Sequence, residues 1–564
     1  MSKKTFDMKI IWAYVYGIAL SLALLLGYQL ETQDHVTLGR LSDILIFAGT
    51  AIVIGTLVNS FYKMMDKSAS GKNDVKATDN SDSVQKALTK AQIDKDEIRY
   101  FLKVWAVLFL MQLPVLIADY PGFFCYDAAD EVNQVLTRQF SDHHPLIHVL
   151  LLGGTIAFGH KITGSWNFGI CMYMVLQALV MTAVFAYMIT FIRRCGVRKA
   201  FRVTAILFMG LFPTIVMYTL CSTKDGLFSA FLLLFVIKLI QLSADPEAFF
   251  KNKRGTSVLM LSAVMICLFR HNGFYAFLVF IPIALIIFRK HLKKMLILLL
   301  VPAVISVILE NGMTLVFDAD CGENQEMLTV SITQLARTYN SSPESFSEED
   351  KEILFSYIPE KAITAYEPRV SDYMKSFFNN EAYEADAASY WKLWLKMLKG
   401  HPVTYLNAWF LTSYGYWYPF AVFNSYKGHQ LYHITYEDSS YFEYEVEPPG
   451  ERIVLIKWID SLYYKMSLTP FQQVTPVVSL FFAPAFYFWM WAFILVYALR
   501  NKKVREIAPL IPVVLVWLTV LLGPVYVVRY VIILWYIVPL MPVIYSRIQS
   551  GYRDNTYTEV VTNG

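Results

Sequence analysis

Apolar residues in this chain come in long unbroken runs, not at the spacing of an amphipathic helix or strand. The runs fall at 10–30, 41–62, 100–118, 166–192, 201–219, 226–243, 255–269, 273–288, 292–309, 476–499, 506–522 and 526–545. A helix needs about 20 such residues to cross a bilayer. The pattern predicts an all-α polytopic membrane protein with about twelve transmembrane helices. Lys3, Lys4 and Lys9 precede the first run, and no small-residue cleavage site follows it. It reads as an uncleaved span, not as a signal peptide.

The polar intervals set the expected orientation. Basic residues cluster at Lys63–Lys76, Arg193–Arg202, Lys251–Arg254, Arg289–Lys294 and Arg500–Arg505. With the N-terminus inside and twelve spans, all five clusters fall on the cytoplasmic side, as the positive-inside rule requires. Counting the apolar run 145–159 as a further span would put Arg193–Arg202 outside. That run therefore reads as a helix lying in the outer interface. The aromatic stretch 405–423 is open to the same two readings, and its Trp and Tyr content suits an interfacial position.

The expected organisation follows. Residues 1–63 form two N-terminal transmembrane helices, and the Lys-, Asp-, Ser- and Asn-rich stretch 64–99 a flexible cytoplasmic linker. Residues 100–309 form a transmembrane core whose outer loop, 119–165, carries candidate chemistry. Residues 310–475 form an extracytoplasmic domain, 476–545 the C-terminal transmembrane helices and 546–564 a cytoplasmic tail.

Composition strengthens the membrane reading: 56% of residues are hydrophobic and only 17% charged, against about 25% charged in soluble domains. The net charge of +4 is small and spread over loops, so it is no argument for a nucleic-acid partner, and none is expected. Six cysteines in this length are no disulfide framework. Cys125, Cys221 and Cys321 are expected outside, an odd set with no obvious pairing.

Candidate chemistry lies in outer loops far apart in sequence. The stretch YPGFFCYDAADE carries Asp127, Asp130 and Glu131, which share one face if Asp127 opens a helix. SDHHPLIH follows, with His143, His144 and His148. Lys224 and Asp225 stand in CSTKDGLF, Arg270, His271 and Asn272 in LFRHNGFYAF, and Arg529 with Tyr530 in GPVYVVRYVII. Each has a plainer reading. Asp127 is suited to cap a helix, and Lys224 and Asp225 to form a local ion pair at a helix start. Pro145 fits a first helical position. The His144–His148 spacing is a weak match to metal ligands, and Arg529 is close enough to a span end to snorkel. Taken together, cations at headgroup depth would neutralise a lipid-linked phosphate, and a nearby carboxylate would take the proton of an attacking hydroxyl.

The wording YPGFFCYDAADEVNQV…FSDHHPLIHVLLLG, with TKDGLF, LFRHNGFYAF and GPVYVVRY, resembles the GT-C superfamily of polytopic glycosyltransferases, and within it the bacterial DUF6020 family, over about 100–545. The resemblance implies a GT-C-like fold and a transferase that takes a sugar from a polyprenyl-phosphate donor to an envelope glycan or lipid acceptor outside the cell membrane. It implies Asp127 as the base, with Asp130 and Glu131 as further candidates. Lys224, Arg270 and Arg529 map to the cations near the lipid phosphate, and His143, His144, Asp225 and Tyr530 join them as candidate substrate-binding residues. Some GT-C enzymes need a divalent metal and others do not; Asp127, Asp130 and His144 are of the right types to ligate one. Two other readings share the substrate class: a flippase for lipid-linked glycans, and an O-antigen-type polymerase or ligase using Arg337, Arg369 or Arg452 of the large loop.

Overall fold

A computed structural model describes residues 8–37, 39–70, 94–320, 322, 324–422 and 443–549. The protein is an all-α membrane protein. Seven helices are long and apolar enough to cross a membrane, or eight if the bent pair Lys199–Leu211 and Pro213–Thr219 counts as one. That pair turns by 55° at Pro213, whose ring cannot continue the hydrogen-bond ladder. Large apolar side chains on the long helices stay uncovered, among them Ile46, Ile52, Ile297 and Ile308. On a soluble protein such a belt would aggregate; on this one it is the lipid-facing surface.

The first two helices, Lys9–Gln33 and Leu41–Ser70, form a hairpin. A Cβ on Gly17 would lie 2.7 Å from the Gly55 nitrogen, so these backbones touch only because both residues are glycine. The second helix runs through Lys63–Lys67 to Ser70, and the next starts at Lys95 with Asp94 accepting from the Glu97 N–H at 2.8 Å. The expected linker 64–99 is thus helical at both ends, and its middle, 71–93, lies outside the described residues.

Ion pairs fix one end of the bundle. Arg194 makes a bidentate pair with Glu97 at 3.0 and 2.9 Å, and Arg500 reaches Asp66 at 2.8 Å. These join the basic ends of four helices. The opposite ends carry every cluster of candidate residues. The helix Leu146–Thr163 starts beside those residues, at His144 and Pro145. It ends against the N-terminal turn of Trp166–Arg194, where Gly159 meets Gly169. The partner helix has 29 residues and its Arg194 is at the basic end; at 1.5 Å per residue its N-terminus is about 43 Å away. Although Leu146–Thr163 is long and apolar enough to cross a membrane, both its ends therefore sit at the same end of the bundle.

Residues 328–405 build a second hydrophobic core from Ile332, Leu335, Leu354, Ile363, Tyr390 and Leu393. Its helix Glu348–Tyr357 opens with a capping box between Ser347 and Asp350. Helix Leu292–Phe317 carries the bundle past the expected boundary at 310. In the described part of the aromatic stretch 405–423, Tyr405, Tyr414 and Tyr416 are fully buried while Phe420 is exposed. Tyr414 donates to Glu31 at 2.7 Å, and the Tyr416 hydroxyl accepts from the Val527 N–H at 3.0 Å. Near the C-terminus, a 3-10 stretch at Val528–Val531 interrupts the run 526–545, and the helix after it extends to Gln549. The expected tail lies outside the described residues beyond that point.

Candidate functional site

The site begins where the helix Lys95–Ala118 ends. A short extended segment leads to the helix Tyr126–Thr137, which places Asp127 in its first turn. Cys125 is the N-cap residue and makes no side-chain capping bond. Asp127 is therefore not the cap; its carboxylate is committed elsewhere. It accepts from Arg529 Nη1 at 2.9 Å and lies 3.7 Å from Lys224 Nζ. Arg529 reaches further into the protein, with Nε 2.9 Å from Glu443 and 3.8 Å from Asp225. Asp225 also pairs with Arg270. The guanidinium of Arg270 lies over the Tyr530 ring, 4.6 Å from its centroid. Lys224 and Asp225 are thus not a local pair: each reaches a different part of the chain. Arg529, expected near a span end where it could snorkel, is instead held by three carboxylates.

Three cations and three carboxylates alternate through this network: Lys224, Arg270 and Arg529 against Asp127, Asp225 and Glu443. All of it but Glu443 lines a cavity of about 550 Å³ whose lining also includes His143, His144, Asn272, Lys375 and Tyr530. Burial alone would raise the Asp127 pKa, but Arg529 and Lys224 outweigh it and hold the carboxyl far below its usual range. Glu443 goes the other way: burial dominates over Arg529 and raises it. At His144, burial and the neighbouring Lys224 charge push the pKa down to about 2. Its ring is neutral at ordinary pH. Lys224 donates to Nδ1 at 2.9 Å, which leaves the ring proton on Nε2, 3.9 Å from Asp130.

Two of the expected catalytic acids are placed elsewhere. Glu131 is buried, with Oε2 2.5 Å from His148 Nδ1, and His148 Nε2 lies 2.9 Å from the Tyr173 hydroxyl. Tyr173 donates to Gln177, whose amide donates to the Cys221 carbonyl at 2.6 Å. This chain pins the helix Leu146–Thr163 to its neighbours and does not line the cavity. The three acids expected on one face of this helix are thus separated: Glu131 lies one turn further along than Asp127, under the next helix. Asp130 is exposed, accepts from Gln134 at 2.8 Å and also does not line the cavity.

Nor do Asp127, Asp130 and His144 converge as metal ligands. Among the described residues the convergent set of three is Cys125, Cys221 and Glu443. The described cysteines are all free, although Cys125 and Cys221 bring their sulfurs to 3.4 Å; Cys321 lies outside the described residues. The loop arginines lie away from the cavity. Arg369 pairs with Asp34 at 2.6 Å, Arg337 donates to the Asp34 carbonyl at 2.6 Å, and Arg452 pairs with Asp119 at 3.1 Å.

A family model described as a family of unknown function, DUF6020, matches residues 136–558. The chain belongs to the DUF6020 family. The matched region holds Lys224, Asp225, Arg270, Glu443 and Arg529, while Cys125 and Asp127 precede it. No curated protein and no solved structure matches the chain.

Proposed function

We propose that this protein is a GT-C-type membrane glycosyltransferase with about twelve spans. It takes a sugar from a polyprenyl-phosphate donor and passes it to a cell-envelope glycan or lipid on the extracytoplasmic face. The observation that carries the reading is the seat between Arg529 and Lys224, occupied here by Asp127, on the floor of a cavity at the end of the bundle remote from the basic clusters. Positive-inside orientation makes that end extracytoplasmic.

In this reading the donor phosphate enters the seat and takes over Arg529 and Lys224, with Arg270 beside them. Asp127 is released from both cations, and its basicity rises as their field is shared. The acceptor hydroxyl attacks the anomeric carbon, the carbon–oxygen bond to phosphate breaks, and the electron pair leaves with the phosphate. Asp127 takes the hydroxyl proton. The cations stabilise the departing charge. A flippase or polymerase would share the donor chemistry. The loop arginines on which a polymerase reading leaned are each engaged in pairs away from the cavity.

The test is sugar release or transfer from radiolabelled polyprenyl-phosphate sugars by purified membranes. Activity in wild type and its loss in Asp127→Asn would support the assignment. Full activity of Asp127→Asn would remove Asp127 as base. Movement of labelled lipid across liposomes without transfer would replace the enzyme reading with a flippase.

A further inference from the structure

Behind Arg529, away from the cavity, Cys125, Cys221 and Glu443 meet in the protein interior, all buried. Cys125 Sγ lies 3.4 Å from Cys221 Sγ and 3.1 Å from Glu443 Oε2, and Cys221 Sγ lies 3.6 Å from the same oxygen. Three separate segments bring them together. Phe123 bridges to Cys221 and Phe124 to Val446 as neighbouring extended backbone. The Cys125 N–H donates to Ser222 Oγ at 3.1 Å, and the Ser222 N–H donates to the Phe123 carbonyl at 2.9 Å. The sulfurs thus stand on backbone that is itself pinned.

We propose that Cys125, Cys221 and Glu443 bind a zinc ion that braces the neighbouring charged site. Tetrahedral zinc with bonds of about 2.3 Å to sulfur and about 2.0 Å to oxygen sets its ligands about 3.8 Å apart for two sulfurs and about 3.5 Å for sulfur and oxygen. The observed triangle of 3.4, 3.1 and 3.6 Å departs from those edges by about 0.4 Å at most. Ser222 Oγ lies 3.6 Å from Cys125 Sγ, and a water would complete the fourth position. Thiolate ligands select zinc over magnesium or calcium. On binding, two sulfur–hydrogen bonds give way to two sulfur–zinc bonds, and the protons leave to solvent. Two thiolates, one carboxylate and the dication sum to a single negative charge, which faces Arg529 Nε, 2.9 Å from Glu443 Oε1. A disulfide between the same cysteines would account for the two sulfurs but not for a carboxylate oxygen directed at both.

The consequence is positional. Cys125 is two residues before Asp127, Cys221 three before Lys224, and Glu443 holds Arg529. One ion would fix all three partners of the seat relative to one another. This holds whatever the protein transfers, so its test does not depend on the transferase reading.

Full-length protein, purified in detergent without chelator, is assayed for metal by inductively coupled plasma mass spectrometry. Stoichiometric zinc in wild type, lost in Cys221→Ser and in Glu443→Gln, is the expected result. Because either variant could lose zinc by misfolding, wild type is also stripped and reloaded with cobalt. A thiolate-to-cobalt charge-transfer band is then expected in the near ultraviolet. Zinc-free wild type with no such band on cobalt would overturn the proposal. So would a Cys125–Cys221 disulfide found by non-reducing peptide mapping of freshly purified protein.

Discussion

If Asp127 occupies the seat of the donor phosphate, removing its charge must do two opposite things. Asp127→Asn removes the base, so transfer should fall by about 10²–10⁴-fold. It also removes the internal competitor for Arg529 and Lys224, so the donor lipid should bind more tightly. The size of that gain follows from the geometry. At distances of 2.9 and 3.7 Å and an effective dielectric near 20, the gross attractions are about 6 and 4 kcal/mol. Most of this is offset by the cost of stripping water from the carboxylate. What the incoming phosphate must displace is chiefly one charge-assisted hydrogen bond, worth about 1.5–3 kcal/mol net. Loss of that competition corresponds to roughly 10–150-fold in affinity. The assay is titration of detergent-solubilised protein with polyprenyl phosphate, read by microscale thermophoresis, with Arg529→Gln as the weak-binding control. Unchanged or weaker binding by Asp127→Asn would refute the shared seat, even if transfer were lost.

Three further outcomes are expected. His144 is neutral in the folded protein down to about pH 2, whereas an unfolded histidine takes up a proton near pH 6.5. The unfolded state then binds more protons below pH 6.5, and stability drops as pH falls, by up to about 1.4 kcal/mol per unit. Melting curves of His144→Gln should flatten between pH 6.5 and 4 relative to wild type; a parallel slope would sink the assignment. Glu131→Gln disturbs the buried contact with His148 without touching the cavity, so it should cost about 1–3 kcal/mol, seen as a lower Tm by scanning fluorimetry, while donor binding by folded protein persists. A topology reporter fused after Gly159 should report the extracytoplasmic side; a cytoplasmic signal would reverse the placement of both the Leu146–Thr163 helix and the basic clusters.

The longest spans, such as 166–192 and 226–243, were legible because a bilayer imposes length and apolarity on any crossing helix; shorter runs such as 273–288 form helices below that length. Their interruptions were less so: nothing in apolarity alone marks the 55° turn at Pro213 or the 3-10 stretch at Val528–Val531. Lys224, Asp225, Arg270 and Arg529 stood out because ionisable residues at span ends are costly to keep there without a partner. Their mutual pairing could not be read, since it depends on how helices separated by hundreds of residues pack. Glu443 was invisible for another reason: it lies in a stretch crowded with acids and tyrosines, where no spacing singles it out. Glu131 misled because helical periodicity gives direction around the axis but not which turn is covered by a neighbouring helix.

The network also constrains what this site can do. Three carboxylates among three cations leave it close to neutral without a ligand, and Asp225 is held by Arg270 in the interior. Glu443 stands behind Arg529 with the two cysteines. Asp127 differs from both: it lines the cavity as Asp225 does, but its side chain keeps partial contact with solvent, where Asp225 and Glu443 are buried. An entering anion can therefore exchange with Asp127 at lower cost than with the other two. In the proposed reading, the exchange that seats the phosphate also frees the Asp127 carboxylate to turn toward the acceptor hydroxyl on the opposite face of the sugar. Binding and activation would then be one event, and a ligand lacking the phosphate would leave Asp127 locked against Arg529.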